Sequence, residues 1–260
     1  PGGLSYPATG STGDGYRIAR ELGHAVTPLR PALVPLETVE SWVKDLQGLS
    51  LKNVEGLIRV NGKKVDTEFG EMLFTHYGLS GPIVLSLSHA VSQALKKVPA
   101  PEIVFELNLK PALSPDTLDK RLQRDFSAFA RKQFKNSLGD LLPQKMIPIV
   151  IQLSGIEPEK PVHQITREER SCLVDLLQKI SLTIRRTRPV AEAVVTAGGV
   201  SVKEVQPKTM ASRLIGGLFF AGEILDIDGY TGGFNLQAAF STGHVAGRSA
   251  AEYVAISAGP

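Results

Sequence analysis

One stretch constrains this chain more than any other: Gly217 to Gly247, GLFFAGEILDIDGYTGGFNLQAAFSTGHVAG. Its apolar run Leu218-Phe219-Phe220-Ala221 has the length and composition of a buried strand. Gly222 ends the run, Glu223 follows directly, and a polar loop then carries Asp226, Asp228 and Tyr230. Thr231-Gly232-Gly233 leads into Phe234-Asn235-Leu236-Gln237, the start of an Ala-rich segment that reads as helix to about Tyr253. Strand, acidic loop, double glycine and helix in that order belong to an α/β fold. Two glycines at a helix entrance let a ligand approach the backbone closely. The first helical turn leaves N–H groups unpaired, with a partial positive charge behind them. Glycines at this place also serve as plain punctuation between strand and helix. From this stretch alone, a site for a flat or anionic ligand and an ordinary connection both stand.

The remaining segments change character along the chain. Gly2 to Tyr16, GGLSYPATGSTGDGY, is glycine-rich; Thr12 is placed to cap a helix through Tyr16 and Leu22 that Gly23 closes. Pro28, Pro31 and Pro35 mark a change of direction. β patterning follows: Val54 to Val60 and Lys63 to Phe69 flank Asn61-Gly62, the strongest short hairpin signal. Glu71 to Tyr77 reads as a third strand. Ser80 or Gly81 caps a helix with Pro82 in its first turn, running to about Leu95, and Glu102 to Leu109 alternates as a strand. From about 110 to 180 only helix signals occur, with starts at Ser114 and Ser137 and a capping box at Thr166 to Glu169. Strand pattern returns at Ser181 to Arg188 and Ala191 to Ala197.

Composition narrows the chemistry. No apolar run approaches the ~18 residues of a membrane span, and the amino terminus is no signal peptide. Cys172 is the single cysteine, which excludes an internal disulfide and suits a cytoplasmic protein. It falls at an apolar position of a helix, where a small buried hydrophobe is expected. The five histidines lack metal-like spacing, so no metal site is expected. No G-x-S-x-G or P-loop string occurs, so redox chemistry would need a cofactor. The net charge of +3 is spread among acids, and the basic stretch Lys120, Arg121, Arg124, Arg131, Lys132, Lys135 reads first as one solvated helix face; nucleic acid is not the expected partner.

The blocks AGEILDIDGYTGGFNLQAAFSTG, RTRPVAEAVVTAGGV (Arg186 to Val200), GGLSYPATGSTGDGY and LFTHYGLSGP (Leu73 to Pro82) resemble those of bacterial NAD(P)/FAD-dependent oxidoreductases, the aminoacetone-oxidase-like flavoproteins. The resemblance implies a split FAD-binding, Rossmann-like domain in two pieces, 1–28 and 187–260. Between them it implies an inserted domain, 29–186, with a β-barrel-like part and a small helical subdomain at about 110–180. The fold class expected is therefore α/β plus a β-rich insert. Family members open with a dinucleotide-binding glycine loop, whereas no G-x-G-x-x-G occurs in this sequence. The chain thus reads as the C-terminal part of a longer flavoprotein, its missing N-terminal segment being its first partner.

The resemblance also assigns roles. FAD would be bound by Thr12, Gly13 and Asp14 from one segment. From the other it would be bound by Gly222, Glu223, Gly232, Gly233, Phe234, Asn235 and Leu236, with Glu223 toward the ribityl chain and the helix start at the pyrimidine edge. NAD(P)H is a candidate electron donor and a small organic molecule the substrate, with hydride passing between it and the flavin in a direction left open. Tyr230, Arg186 and Arg188 are substrate candidates, as are His76 and Tyr77; Arg186 and Arg188 serve equally well as partners of acids at the domain junction. No residue is assigned as catalytic. A non-catalytic module that docks protein or nucleic acid through the insert remains the alternative from another class.

Overall fold

The computed structural model describes residues 2–97, 99 and 101–257. Its regular elements are helix α1 (Asp14–Glu21), strands β1 (Arg30–Ala32), β2 (Leu36–Thr38), β3 (Ser50–Val60), β4 (Lys63–Phe74) and β5 (Gly78–Ser80), and helix α2 (Pro82–Ala94). Strand β6 (Ile103–Asn108) and helices α3 (Pro115–Ala128), α4 (Met146–Ser154) and α5 (Arg167–Gln178) follow, then β7 (Ile180–Thr187), β8 (Val195–Ala197) and the 24-residue helix α6 (Phe234–Ser257). The chain divides into two compact units, Leu36–Arg186 and the pair of segments Pro1–Pro35 with Thr187–Pro260.

The inner unit is a closed six-stranded barrel, in the order β2-β5-β4-β3-β6-β7, with helices attached. Asn61 and Gly62 both adopt positive φ, +49° and +76°, as a two-residue hairpin turn of the right twist requires. They join β3 to β4 in the register Val60↔Lys63. The expected separate strand from Glu71 does not exist: β4 runs unbroken through Gly70, and the irregularity falls on the partner strand, where Asn53 (φ +54°) bulges between Leu51 and Val54. Gly78–Ser80 pairs as β5 rather than belonging to the helix entrance, and Gly81 (φ +91°) caps α2 with Pro82 behind it. The barrel closes between β2 and β7 through Val39 N–H to the Thr183 carbonyl (2.9 Å) and Thr183 N–H to the Glu40 carboxylate (2.8 Å), so a side chain stands in for one ladder rung. Ile58, Phe74, Leu79, Leu87, Phe105 and Leu107 are fully buried in one core with Leu118, Leu122 and Val150 of the helices.

The helical part follows its caps where they are strong. Ser114 accepts from Thr117 N–H at the start of α3, and Thr166 and Glu169 form a reciprocal capping box on α5. Ser137 starts no helix: it ends the short 3-10 turn Phe134–Asn136, its buried hydroxyl donating to the Phe134 carbonyl, and α4 begins only at Met146. Cys172 is exposed, contrary to expectation. The buried face of α5 is Leu173, Val174 and Leu177, and Cys172 lies one residue, a rotation of ~100°, off it.

In the outer unit β1 pairs antiparallel with β8, Arg30↔Ala197 to Ala32↔Val195. A 3-10 turn at Val190–Glu192 occupies the start of the strand expected from Ala191. Leu218–Ala221 is not a regular strand; it makes a single bridge, Phe219 to Ala211, and only Phe220 is buried. Helix α6 rests on its own unit through Thr242, Ala246 and Ser249, with Tyr253 edge-on to Phe219. Its opposite side is a second apolar stripe that stays exposed: Leu236, Phe240 and Val254, with Gly243, Gly247 and Ala251 between them at helical spacing. Among the described residues no helix is long and apolar enough to cross a membrane.

Candidate functional site

Glu223 sits at the centre of the outer unit's polar contacts. Its Oε1 accepts from Ser5 Oγ (3.0 Å) and from the Thr196 N–H (2.7 Å). Thr196 Oγ1 in turn accepts from the N–H groups of Leu4 (2.7 Å) and Ser5 (3.2 Å), while Tyr16 donates its phenol to the Glu223 carbonyl at 3.1 Å. These bonds tie the glycine-rich start of the chain to β8 and to the turn at Gly222–Ile224. Burial pushes the Tyr16 phenol up to about 12, with the charge of Glu223 as second cause. Gly3 belongs to the same arrangement, since a Cβ there would lie inside the Glu223 carboxylate and the Thr196 hydroxyl. Ser5, Tyr16 and Thr196 escaped the sequence reading because nothing local marks them; their partners lie about 190 to 220 residues away.

Thr12 does not cap α1. The residue at that place is Gly13, at φ +82°, and Thr12 Oγ1 donates instead to Asp14 Oδ2 at 2.8 Å. Asp14 also faces Arg17 at 3.6 Å, so Thr12, Gly13 and Asp14 form a small self-contained turn.

The entrance of α6 is built differently. Gly232 and Gly233 take φ of +106° and +90°, where side chains are disfavoured, and a Cβ on Gly233 would point into open space. Asn235 turns its side chain back on the loop, accepting from Gly229 N–H (2.8 Å) and donating to the carbonyls of Gly229 (2.9 Å) and Tyr230 (3.4 Å). The Gln237 N–H closes on Gly233 O at 2.9 Å. The N–H groups of Phe234, Asn235 and Leu236 therefore lie in the first turn of α6, ahead of its first i to i−4 bond. Tyr230, Phe234 and Leu236 stand exposed around them. Gly222 is fixed from behind, its N–H bonded to Thr242 Oγ1 (3.0 Å).

The arginine candidates are engaged. Arg186 Nε donates to the buried Glu37 at 2.7 Å within the barrel unit. Arg188 lies one residue past β7 and pairs with Glu192 across one turn. His76 and Tyr77 stack edge to face at 4.8 Å at the β4–β5 turn. Among the described residues no group of three or more His, Cys, Asp or Glu is placed to hold a metal ion.

Comparison with known proteins bears on the whole arrangement. Residues 30–195 match the family model described as the HI0933-like protein barrel and H2TH domain. A 3-dehydro-bile acid delta(4,6)-reductase of Clostridium scindens is 33% identical over 253 residues, covering 96% of this chain and 61% of the relative. Ribosomal RNA dihydrouridine synthases of Escherichia coli and Haemophilus influenzae are 33% and 32% identical over 241 and 245 residues, covering 93% and 94% of this chain and 57% of each relative. The chain thus spans about three fifths of the length of these relatives.

Proposed function

Because this chain belongs to the HI0933-like family by its barrel and H2TH domain, we propose that it is part of a flavin-dependent oxidoreductase passing hydride between FAD and a small organic substrate, with NAD(P)H as the electron donor. The relatives support the reductive direction. One is named for reducing bile-acid double bonds and two for making dihydrouridine, and both are additions of hydrogen to a carbon–carbon double bond. The wider likeness to aminoacetone-oxidase-like flavoproteins and a split Rossmann-like domain belong to the same proposal.

The observation that carries the cofactor reading is the α6 entrance. The N–H groups of a first helical turn, a positive-φ glycine open to space, and exposed aromatic flanks fit the edge of a flat ring bearing carbonyl acceptors. FAD, when bound, supplies the hydride chemistry. The chain's own part is to orient the ring edge and to favour negative charge there, through donors that need no reorganisation. Asn235 contributes by holding the loop, which leaves the backbone donors facing outward. Glu223, Gly222 and the Thr12–Asp14 turn are proposed as the framework behind this edge. The pyrophosphate is assigned to a further segment of the same protein, for which the greater length of the relatives gives room, and the exposed stripe of α6 is proposed as the face that segment covers.

The test is the visible absorption spectrum of the longest natural chain, followed by a dye-equilibrated reduction titration of variants. Gly233→Val is expected to lower FAD retention and to move the two-electron potential down by roughly 20–45 mV, the equivalent of ~1–2 kcal/mol of lost charge-assisted contact. Gly233→Asn separates approach from strain, because asparagine tolerates positive φ yet still fills the open space. It should fold as wild type and still lose flavin. A colourless full-length protein, or unchanged retention and potential in both variants, sinks the reading.

Nucleic acid remains a second reading because two relatives carry ribosomal RNA in their names. Against it, half of the basic stretch is engaged in ion pairs: Arg121 and Arg124 share Asp125, and Lys135 pairs with Glu159. A steep salt dependence of RNA binding would favour it.

A further inference from the structure

Away from the α6 entrance, three side chains that the proposed chemistry does not use form a part-buried chain of hydrogen bonds centred on His24. The His24 side chain has no solvent exposure. Its Nδ1 lies 2.9 Å from Glu204 Oε2 and its Nε2 lies 2.9 Å from Ser212 Oγ. Phe220 closes the ring's surroundings edge-on at 4.7 Å. Serine, histidine and carboxylate in this order have the outline of an activated nucleophile. The hydrogen-bond inventory argues otherwise. A hydroxyl has one proton to give and two lone pairs. Ser212 Oγ already accepts from the N–H groups of Leu214 (3.0 Å) and Ile215 (2.9 Å), which uses both. Its proton must therefore go to His24 Nε2, and no lone pair is left to attack a substrate. That assignment fixes His24 as the neutral tautomer with the proton on Nδ1, donating to Glu204, whose Oε2 also takes the Ala25 N–H at 2.9 Å.

We propose that this trio is a proton-operated latch on the 212–220 segment. Neutral His24 fixes the Ser212 hydroxyl, and the hydroxyl fixes the turn through Leu214 and Ile215. A proton taken up at Nε2 turns that nitrogen into a donor facing an oxygen whose lone pairs are both occupied. One of the two backbone bonds to Ser212 must then be given up. The segment so held has its ends tied by Ser212 N–H to Leu218 O (2.8 Å) and Phe220 N–H to Met210 O (2.9 Å), and it leads directly to Glu223. The charged groups around the ring are few. Glu204 is bonded to it; Arg213 turns its Nε to the Val205 carbonyl at 3.3 Å; Arg20 on α1 and Lys203 beside Glu204 point to solvent. Protonated His24 would thus keep its Glu204 partner while its other nitrogen loses a compatible one.

The experiment is nitrogen–proton correlation NMR of the His24 ring in the ¹⁵N-labelled chain, with protection factors of the Leu214 and Ile215 amides followed through the same pH titration. The expected result is a proton on Nδ1 in the neutral form. Protection at one of the two amides should fall roughly fivefold to tenfold, the scale of one hydrogen bond, with the midpoint of His24 itself. Ser212→Thr, which keeps the hydroxyl, should preserve the response; Ser212→Ala should show the low protection at every pH. A proton on Nε2 in the neutral form, protection that ignores the His24 titration, or covalent labelling of Ser212 by a fluorophosphonate would each overturn the latch. The wild-type titration decides the matter alone if Ser212→Ala does not fold.

Discussion

Gly81→Ala tests how tightly the barrel and its first helix are joined. A Cβ built on Gly81 would stand 2.9 Å from Leu73 N and from Met72 Cα, and 3.1 Å from Met72 C. All three are backbone atoms of β4, so no side-chain rotation relieves the contact. The residue also holds φ at +91° with ψ at 171°, a region essentially confined to glycine that costs an L-residue about 1–3 kcal/mol. To make room, the start of α2 and β5 must move off β4. That strains the Ser80↔Leu73 pairing and the Leu85 N–H bond to Gly81 O (2.9 Å), at about 1 kcal/mol each. The sum is about 3–5 kcal/mol. At ~2–4 °C per kcal/mol for a domain of this size, Tm should fall by ~6–20 °C. Gly155→Ala is the control within the same unit. It too has positive φ (+66°), but a Cβ there meets nothing within 4 Å, so only about 1 kcal/mol and ~2–4 °C are expected. Thermal unfolding followed by circular dichroism measures both. Equal losses in the two variants would show that the contact with β4 carries no cost, and the packing argument would fail.

Three further outcomes follow from the pKa shifts and caps. Thr166→Ala should cost ~1 kcal/mol by opening the α5 capping box, read by denaturant titration. Lys160, and then the Thr166 N–H, hold the Glu169 carboxyl below its usual range, so its contribution is present above the ordinary carboxylate pKa and is lost as pH falls through the lowered value. Glu169→Gln should flatten that part of the acid-stability curve. Tyr16 works in the opposite direction. Its phenol is pushed up to about 12, so the stabilisation it brings is complete below the ordinary tyrosine value of ~10 and disappears as pH rises from there through about 12. In an ultraviolet phenolate titration one tyrosine should ionise late, and that late step should vanish in Tyr16→Phe.

What was legible in the sequence was what is local. Asn61-Gly62 announced its hairpin because two consecutive residues must take positive φ there, and they do. The Thr166–Glu169 capping box and the Gly81-Pro82 helix entrance were readable for the same reason. Errors arose where a local signal had two uses. Ser137 looked like a helix cap but ends a 3-10 turn, and Leu218–Ala221 looked like a buried strand although it pairs through one bridge. The separate strand read from Glu71 is absent, because β4 continues through Gly70 while the partner strand bulges at Asn53. The candidate site was legible only in part. Gly232 and Gly233 could be read as a helix entrance, whereas Arg186 finds Glu37 across 149 positions and His24 finds Glu204 across 180. No periodicity encodes such pairs.

The closure of the barrel between its first strand and its last has a kinetic consequence. Val39 bonds Thr183 inside the barrel, and Pro35 O accepts from Arg188 N–H just outside it, so the chain leaves close to where it entered. In the unfolded state, joining the outer unit's two segments means closing a loop of roughly 150 residues; once the barrel is formed, the effective loop is about four. By the logarithmic dependence of closure entropy, that difference is worth ~3 kcal/mol. We predict that the barrel folds first and that the β1–β8 pairing waits for it. In stopped-flow refolding, slowing the barrel with Gly81→Ala should slow the outer unit equally, and an outer unit that keeps its own rate would contradict this order.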